Sequence, residues 1–217
     1  MTARILIAHD HTILRECLRE MLRRQPAIEV VGEASDGRSA VSMALELQPD
    51  LVIMEAALPE LNGVEATRQI TSHSSNIKVL GLSLYSGNRP ITQMLNAGAS
   101  AYLTKECTCE ELLRAVDLVL TNQVYLSSSA TDEVVKGFTS RLPTTDPTKN
   151  PVLSPKEREV LQLLTEGMTT NEIAGVLSTQ AKTVETYRKQ IMDKLGLHSI
   201  AELTKYAIRE GITFLSL

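Results

Sequence analysis

Tryptophan is absent from this chain of 217 residues and phenylalanine occurs only twice, so its cores must be filled with aliphatic side chains. No apolar run approaches the roughly 18–20 residues that a membrane-spanning helix needs. The N-terminal run Ile5-Leu6-Ile7-Ala8 is too short for the apolar centre of a secretory signal and gives way to His-Asp-His. It reads as a buried strand. Cysteine is scarce: Cys17, Cys107 and Cys109 are the three in the chain. Without an export signal they are expected to be reduced thiols of a cytoplasmic protein. Cys107-x-Cys109 has the spacing of some metal and redox sites, but no second pair accompanies it, so it reads as ordinary packing or surface positions.

Excess positive charge is also lacking. The net charge is −4, which argues against nonspecific nucleic-acid affinity of the whole chain. From Val152 onward acids and bases balance, so the deficit lies wholly in the preceding part. An acidic N-terminal part followed by a neutral part with a local basic stretch implies two jobs.

What is present falls into two patterns. Up to residue 125, short apolar runs alternate with helical periodicity. Ile5–Ala8, Val30–Gly32, Leu51–Met54, Val79–Leu82 and Ala101–Leu103 read as strands, several of them continuous in Val, Ile and Leu. Such runs are expected when both faces of a parallel sheet are covered. Helical stretches lie between and after them, at Leu14–Arg24, Ser39–Leu47, Val64–Ile70, Ile91–Ala97 and Glu110–Leu120. The expectation is a doubly wound α/β domain with a five-stranded parallel sheet, over residues 1–125. Functional groups of such sheets gather at the carboxyl ends of the strands.

Residues 126–151 read as a linker. Ala130 to Phe138 has the pattern of a short amphipathic helix. Thr139 to Pro151 carries three prolines and no apolar periodicity. Residues 152–217 carry only helix signals. Ser154-Pro155-Lys156-Glu157 and Thr169-Thr170-Asn171-Glu172 have capping-box spacing, while Gly167 and Gly196 mark helix ends. Four helices are predicted, at 155–166, 170–177, 181–195 and 199–210. The second and third, joined by a short turn, make a helix-turn-helix.

The segment Asp50-Leu51-Val52-Ile53-Met54-Glu55, followed by Pro59 and Gly63, resembles the phosphoacceptor segment of bacterial response-regulator receivers, a flavodoxin-like fold also called CheY-like. The resemblance covers about residues 3–122. It implies that Glu55 stands where the family has a phosphoaccepting Asp. It also implies that His9 and Asp10 stand where two acids hold Mg²⁺, and that Ser83, Tyr102 and Lys105 are the switch hydroxyl, the switch aromatic and the phosphoryl-pairing lysine. Asp10, Ser83, Tyr102 and Lys105 match the pattern, whereas His9 and Glu55 depart from it.

Both departures work against phosphotransfer. Mg²⁺ takes hard oxygen ligands in near-octahedral array, and His9 offers nitrogen instead. Glu55 carries its carboxylate about 1.3 Å further out, and a misplacement near 1 Å can cost ~100-fold in rate. Asp10 and Glu55 are then vestigial ligands, Mg²⁺ binding is expected to be weak or lost, and no cofactor is expected. Three readings of Glu55 stay open. Its charge holds an active-like state by meeting Lys105 and Ser83, or merely neutralises Lys105 as a structural pair, or the carboxylate keeps residual phosphotransfer. His11 is expected to cap or pack at the first helix, since a transition-metal site there would need further ligands.

Leu153 to Gly211 resembles the output domain of the NarL/FixJ response regulators, the LuxR-type helix-turn-helix. Leu153-Ser154-Pro155-Lys156-Glu157-Arg158-Glu159-Val160-Leu161, Asn171-Glu172-Ile173-Ala174, Lys182-Thr183-Val184-Glu185-Thr186-Tyr187-Arg188 and Lys194-Leu195-Gly196 carry the likeness. Periodicity agrees: Val184, Tyr187, Ile191 and Leu195 share one face of the third helix, and Lys182, Thr186, Lys189 and Asp193 another. Lys182, Thr183, Glu185, Thr186, Arg188 and Lys189 are the candidate DNA-reading residues. Gln180 and Thr179 depart from the family's usual cap.

The resemblance implies a transcription regulator and not an enzyme, working as a homodimer on double-stranded DNA with a pseudo-palindromic site. The alternatives are an ordinary phosphoacceptor served by a sensor kinase, and a pseudo-receiver that senses a ligand or protein partner.

Overall fold

The computed structural model describes residues 2–83, 88–139 and 153–214. It divides the chain into two compact units, Met1–Arg141 and Leu142–Leu217. The first unit alternates strands and helices: β1 (Ala3–Ala8), α1 (Thr12–Arg23), β2 (Ile28–Ala34), α2 (Gly37–Leu47), β3 (Leu51–Met54), α3 (Gly63–His73), β4 (Lys78–Ser83), α4 (Asn88–Asn96), β5 (Ala101–Thr104), α5 (Cys109–Leu120), β6 (Tyr125–Leu126) and α6 (Ser128–Thr139). The second unit holds α7 (Pro155–Thr165), α8 (Thr170–Val176), α9 (Ala181–Leu195) and α10 (Ile200–Arg209).

All strand pairs are parallel, in the order β2-β1-β3-β4-β5-β6. The chain steps outward from β1 to β2, then back across β1 to β3, so its direction of winding reverses between β1 and β3. That reversal opens a crevice above the carboxyl ends of these two strands. Strand pleating divides the side chains between two cores. Leu6, Ala8, Val52, Met54 and Tyr102 pack with Ala40, Ala44, Val64, Ile70, Ile91, Met94 and Ala130 from α2, α3, α4 and α6. Ile5, Ile7, Leu51, Ile53 and Leu103 pack on the opposite face with Leu22, Leu112, Val116 and Val119 from α1 and α5.

The five expected strands are present and a sixth joins them. β6 is two residues long and pairs Tyr125 with Ala101 and Leu126 with Tyr102. So short a strand carries no readable alternation, whereas the short helix expected over Ala130–Phe138 is present as α6. With α6, whose Ala130 enters the first unit's core, β6 moves the edge of that unit from 125 to Arg141. Most of the proline-rich stretch expected as linker, residues 140–152, lies outside the described residues.

In the second unit, capping boxes start α7 at Ser154/Glu157, α8 at Thr169/Glu172 and α10 at Ser199/Glu202. Gly196 takes φ +64 after α9, a left-handed C-cap that an L side chain adopts only under strain. Leu153, Val160, Leu161, Leu163, Ile173, Val184, Ile191, Leu203 and Ala207 form its core. Glu157 is buried beneath α9, where Lys194 Nζ reaches its Oε1 at 2.7 Å. Burial opposes the charge on Glu157, but the bonds from Lys194 and Ser154 outweigh it and hold the carboxyl below its usual range.

Gly63 connects this scaffold to the crevice. It opens α3 directly after the cap Asn62, and a Cβ there would sit 2.0 Å from the backbone oxygen of Glu55. Gly63→Ala should therefore displace the β3–α3 loop and destabilise the first unit by about 1–3 kcal/mol. Urea unfolding of the full chain, following the receiver transition, measures this; an unchanged midpoint would disprove the close approach.

Candidate functional site

Backbone hydrogen bonds extend the sheet by one residue and fix the site's floor. His9 N donates to Ala34 O at 3.0 Å, Glu55 N to Ala8 O at 2.9 Å, and Lys105 N to Ser83 O at 2.9 Å. Residues one step past β1, β3 and β5 thus stand together at the sheet's carboxyl edge, where loops are free to carry polar groups.

Glu55 is 2% exposed. Its Oε2 forms an ion pair with Lys105 Nζ, and its Oε1 accepts the N–H of Ala57 at 3.0 Å. The expected meeting of Glu55 and Lys105 is present. The Ala57 contact was illegible in the sequence, since any residue there supplies the same N–H. An unpaired carboxylate so buried would be costly, and the lysine and the N–H together compensate it. Ser83 and Tyr102, both fully buried, are joined by a side-chain hydrogen bond. Burial raises the Tyr102 pKa, the Ser83 bond opposes that rise, and the nearby Glu55 charge adds to it, so the phenol stays neutral. Glu55, Lys105, Ser83 and Tyr102 thus occupy one neighbourhood.

His9 is 1% exposed. Its Nδ1 accepts His11 N–H at 3.0 Å and lies 3.0 Å from Asp10 Oδ1, while its Nε2 is 3.5 Å from Glu55 Oε2. Burial and then the charge of Lys105 lower its pKa to about 4, against the opposing pull of Glu55 and Asp10. It is a neutral imidazole at neutral pH. Asp10 Oδ1 also lies 2.9 Å from His11 Nδ1. His11 occupies the N-cap position of α1 but makes no side-chain cap and is 60% exposed, so the expectation that it caps or packs is corrected. Its ring turns to Asp10 instead. Arg15, unmarked in the sequence, donates to the carbonyls of His9 and Asp10 at 2.8 and 2.9 Å and anchors this turn.

In the second unit α9 presents its two faces as its periodicity predicts. Val184 and Ile191 are buried, whereas Lys182, Thr183, Glu185, Thr186 and Lys189 are exposed and Arg188 is half-buried. Thr186 Oγ1 donates to Lys182 O at 2.9 Å, so its proton is used within the helix and its oxygen can only accept from a base. Gln180 stands at the N-cap without a side-chain bond. Glu185, Arg188, Lys189, Met192, Asp193 and His198 border a shallow depression on this surface.

A parallel sheet with acid, lysine, hydroxyl and aromatic gathered at its carboxyl edge, followed in the same chain by a helix-turn-helix, defines a receiver coupled to a DNA-reading domain. The chain matches the family described as "Response regulator receiver domain" over residues 5–117 and "Bacterial regulatory proteins, luxR family" over residues 151–207. It is 32% identical to the response regulator UvrY of Escherichia coli K12, over 96% of this chain and 94% of that protein. It is 34% identical to the oxygen regulatory protein NreC of Staphylococcus aureus JH9, over 96% of this chain and 98% of that protein. A crystal structure of a LuxR-family two-component response regulator from Aurantimonas superposes with a TM-score of 0.61 at 33% identity, over 64% of this chain and 99% of that one. The chain belongs to the LuxR-type response regulators: it is a DNA-binding transcription regulator of the two-component class.

Two outcomes test these sites. Lys105→Ala strands the buried Glu55 charge and should cost the receiver about 3–5 kcal/mol. The same change beside Glu55→Gln should cost far less, because the two side chains act as a pair; additive losses in urea titrations would refute the pairing. Lys189→Ala should weaken binding to the cognate promoter by about 1–3 kcal/mol if the lysine reaches a base edge. Unchanged affinity in a mobility-shift titration would show that another face of α9 meets DNA.

Proposed function

We propose that this regulator works without phosphorylation of residue 55, its receiver being held in one state by the Glu55–Lys105 pair. The observation that carries this reading is that Lys105, the group a phosphoryl oxygen would meet, is already engaged by the carboxylate. Glu55 supplies one negative charge where a phosphoryl group supplies about 1.5–2. It does so beside the hydrogen-bonded Ser83–Tyr102 pair, whose phenol senses that charge.

The residues present do not fit Mg²⁺. One of the two acid positions is an imidazole, Asp10 leans toward His9 and His11, and both oxygens of Glu55 are engaged. Mg²⁺ dehydrates reluctantly and gains little from such a set, so its binding is weak and no cofactor is required. The output domain then acts as a homodimer on a pseudo-palindromic promoter site, two-fold protein matching two-fold DNA. We place the chain in the cytoplasm, where Cys17, Cys107 and Cys109 stay as the free thiols seen here. Among the described residues no helix is long and apolar enough to cross a membrane.

Acetyl phosphate with Mg²⁺ should leave the intact protein's mass, oligomeric state and DNA affinity unchanged, whereas Glu55→Gln should weaken both dimer and DNA complex. A mass gain of one phosphoryl group would restore the ordinary phosphoacceptor reading. Equal DNA binding and dimer strength of wild type and Glu55→Gln would make the pair purely structural.

A further inference from the structure

The β1–α1 turn brings together donors that the lost Mg²⁺ chemistry does not use. His9 Nδ1, Asp10 Oδ1 and His11 Nδ1 lie within 4.8 Å of one another. The carboxylate oxygen sits 3.0 Å from the first nitrogen and 2.9 Å from the second. Two ligands about 2.1 Å from one metal stand about 3.0–3.4 Å apart as their angle goes from square to tetrahedral, so these two spacings need widen only slightly to hold a small cation. We propose that this turn is a site for a borderline first-row divalent ion of the Zn²⁺ or Co²⁺ kind, bound by His9 Nδ1, Asp10 Oδ1 and His11 Nδ1.

Three features of the turn support the assignment. First, His9 Nδ1 accepts the His11 N–H, so its lone pair already lies on the side of the cluster and the ring's proton sits on Nε2. An arriving ion takes that lone pair in place of the His11 N–H bond, and takes His11 Nδ1 in place of its hydrogen bond to Asp10 Oδ1, the His11 ring proton moving to Nε2. Second, Nε2 is buried, has no hydrogen-bond partner, and points to Glu55 Oε2 at 3.5 Å. Ligating histidines regularly direct their second nitrogen to a carboxylate, which fixes the ring and raises its basicity. Metal on Nδ1 makes the Nε2–H a better donor and draws it toward Glu55. Third, Arg15 holds the carbonyls of His9 and Asp10, so the turn is ordered before the ion arrives.

The donor set also decides which ion. Imidazole suits Zn²⁺, Co²⁺, Ni²⁺ and Cu²⁺, whereas Mg²⁺ requires an oxygen-rich octahedron. The charges of Arg15 and Lys105 oppose every cation. They exclude one held mainly by charge more strongly than one held by nitrogen lone pairs. Three protein ligands leave the remaining positions to water, the pattern of an open, exchangeable site, not of a closed structural one. His11 and Asp10 reach solvent, which gives the ion its way in. This inference stands apart from the reading of Glu55 as a phosphoryl substitute.

The test uses the full-length protein without a histidine tag, stripped with chelator and titrated with Zn²⁺ by calorimetry and with Co²⁺ by visible absorption. The expected result is one equivalent of each bound, unaffected by excess Mg²⁺. His11→Ala and Asp10→Asn, both at solvent-reaching positions, should each weaken binding by about tenfold or more. In the wild type, ring signals of His9 and His11 should shift on Zn²⁺ addition while those of His73 and His198 stay. No binding, equal affinity in His11→Ala, displacement by Mg²⁺, or shifts confined to His73 or His198 would each overturn the site.

Discussion

The receiver's polar centre depends on one buried ion pair. Glu55 and Lys105 follow the ends of β3 and β5, two strands that are not neighbours in the sheet, and their contact passes over the end of β4. Bringing both out of water is costly, and the carboxylate is compensated only because Lys105 meets one oxygen and Ala57 N–H the other. The neighbours answer to that charge: His9 is kept neutral by burial and by the lysine, and Tyr102 stays a phenol.

This changes how the edge of the sheet divides its labour. Asp10 lies against two imidazoles. One side of the crevice then carries a lysine–carboxylate pair, and the other a histidine-rich turn, with the His9 ring between them. That ring faces Asp10 with one nitrogen and Glu55 with the other. Any ligand that reorients it acts on both sides at once. The output unit, by contrast, is defined by three capping boxes and a left-handed glycine stop, with Lys182 and Lys189 on the exposed face of α9.

Much of this was legible in the amino-acid order. Runs such as Leu51–Met54 announced strands covered on both faces, because continuous apolar residues have no solvent side to spare. The recognition helix announced itself by period, since Val184 and Ile191 fall on one face at helical spacing. Glu55 and its lysine partner were equally visible, for strand ends bring them to one sheet edge whatever fills the space between. β6 and the true extent of the first unit were not. A two-residue strand is defined by its neighbour, and Tyr125-Leu126 is a strand only because β5 offers an unpaired edge.

The sequence by itself determined the two-unit plan, the parallel sheet, the helix-turn-helix and the acid at the end of β3, because periodicity, caps and motif spacing are local properties. Only the tertiary structure decided what those groups do to one another. It alone closed Glu55 onto Ala57 N–H, turned Asp10 and His11 toward each other, and aimed the two nitrogens of His9 in different directions. Those outcomes rest on side-chain directions and burial at the meeting of three strand ends, and such three-dimensional constraints leave no periodic trace along the chain.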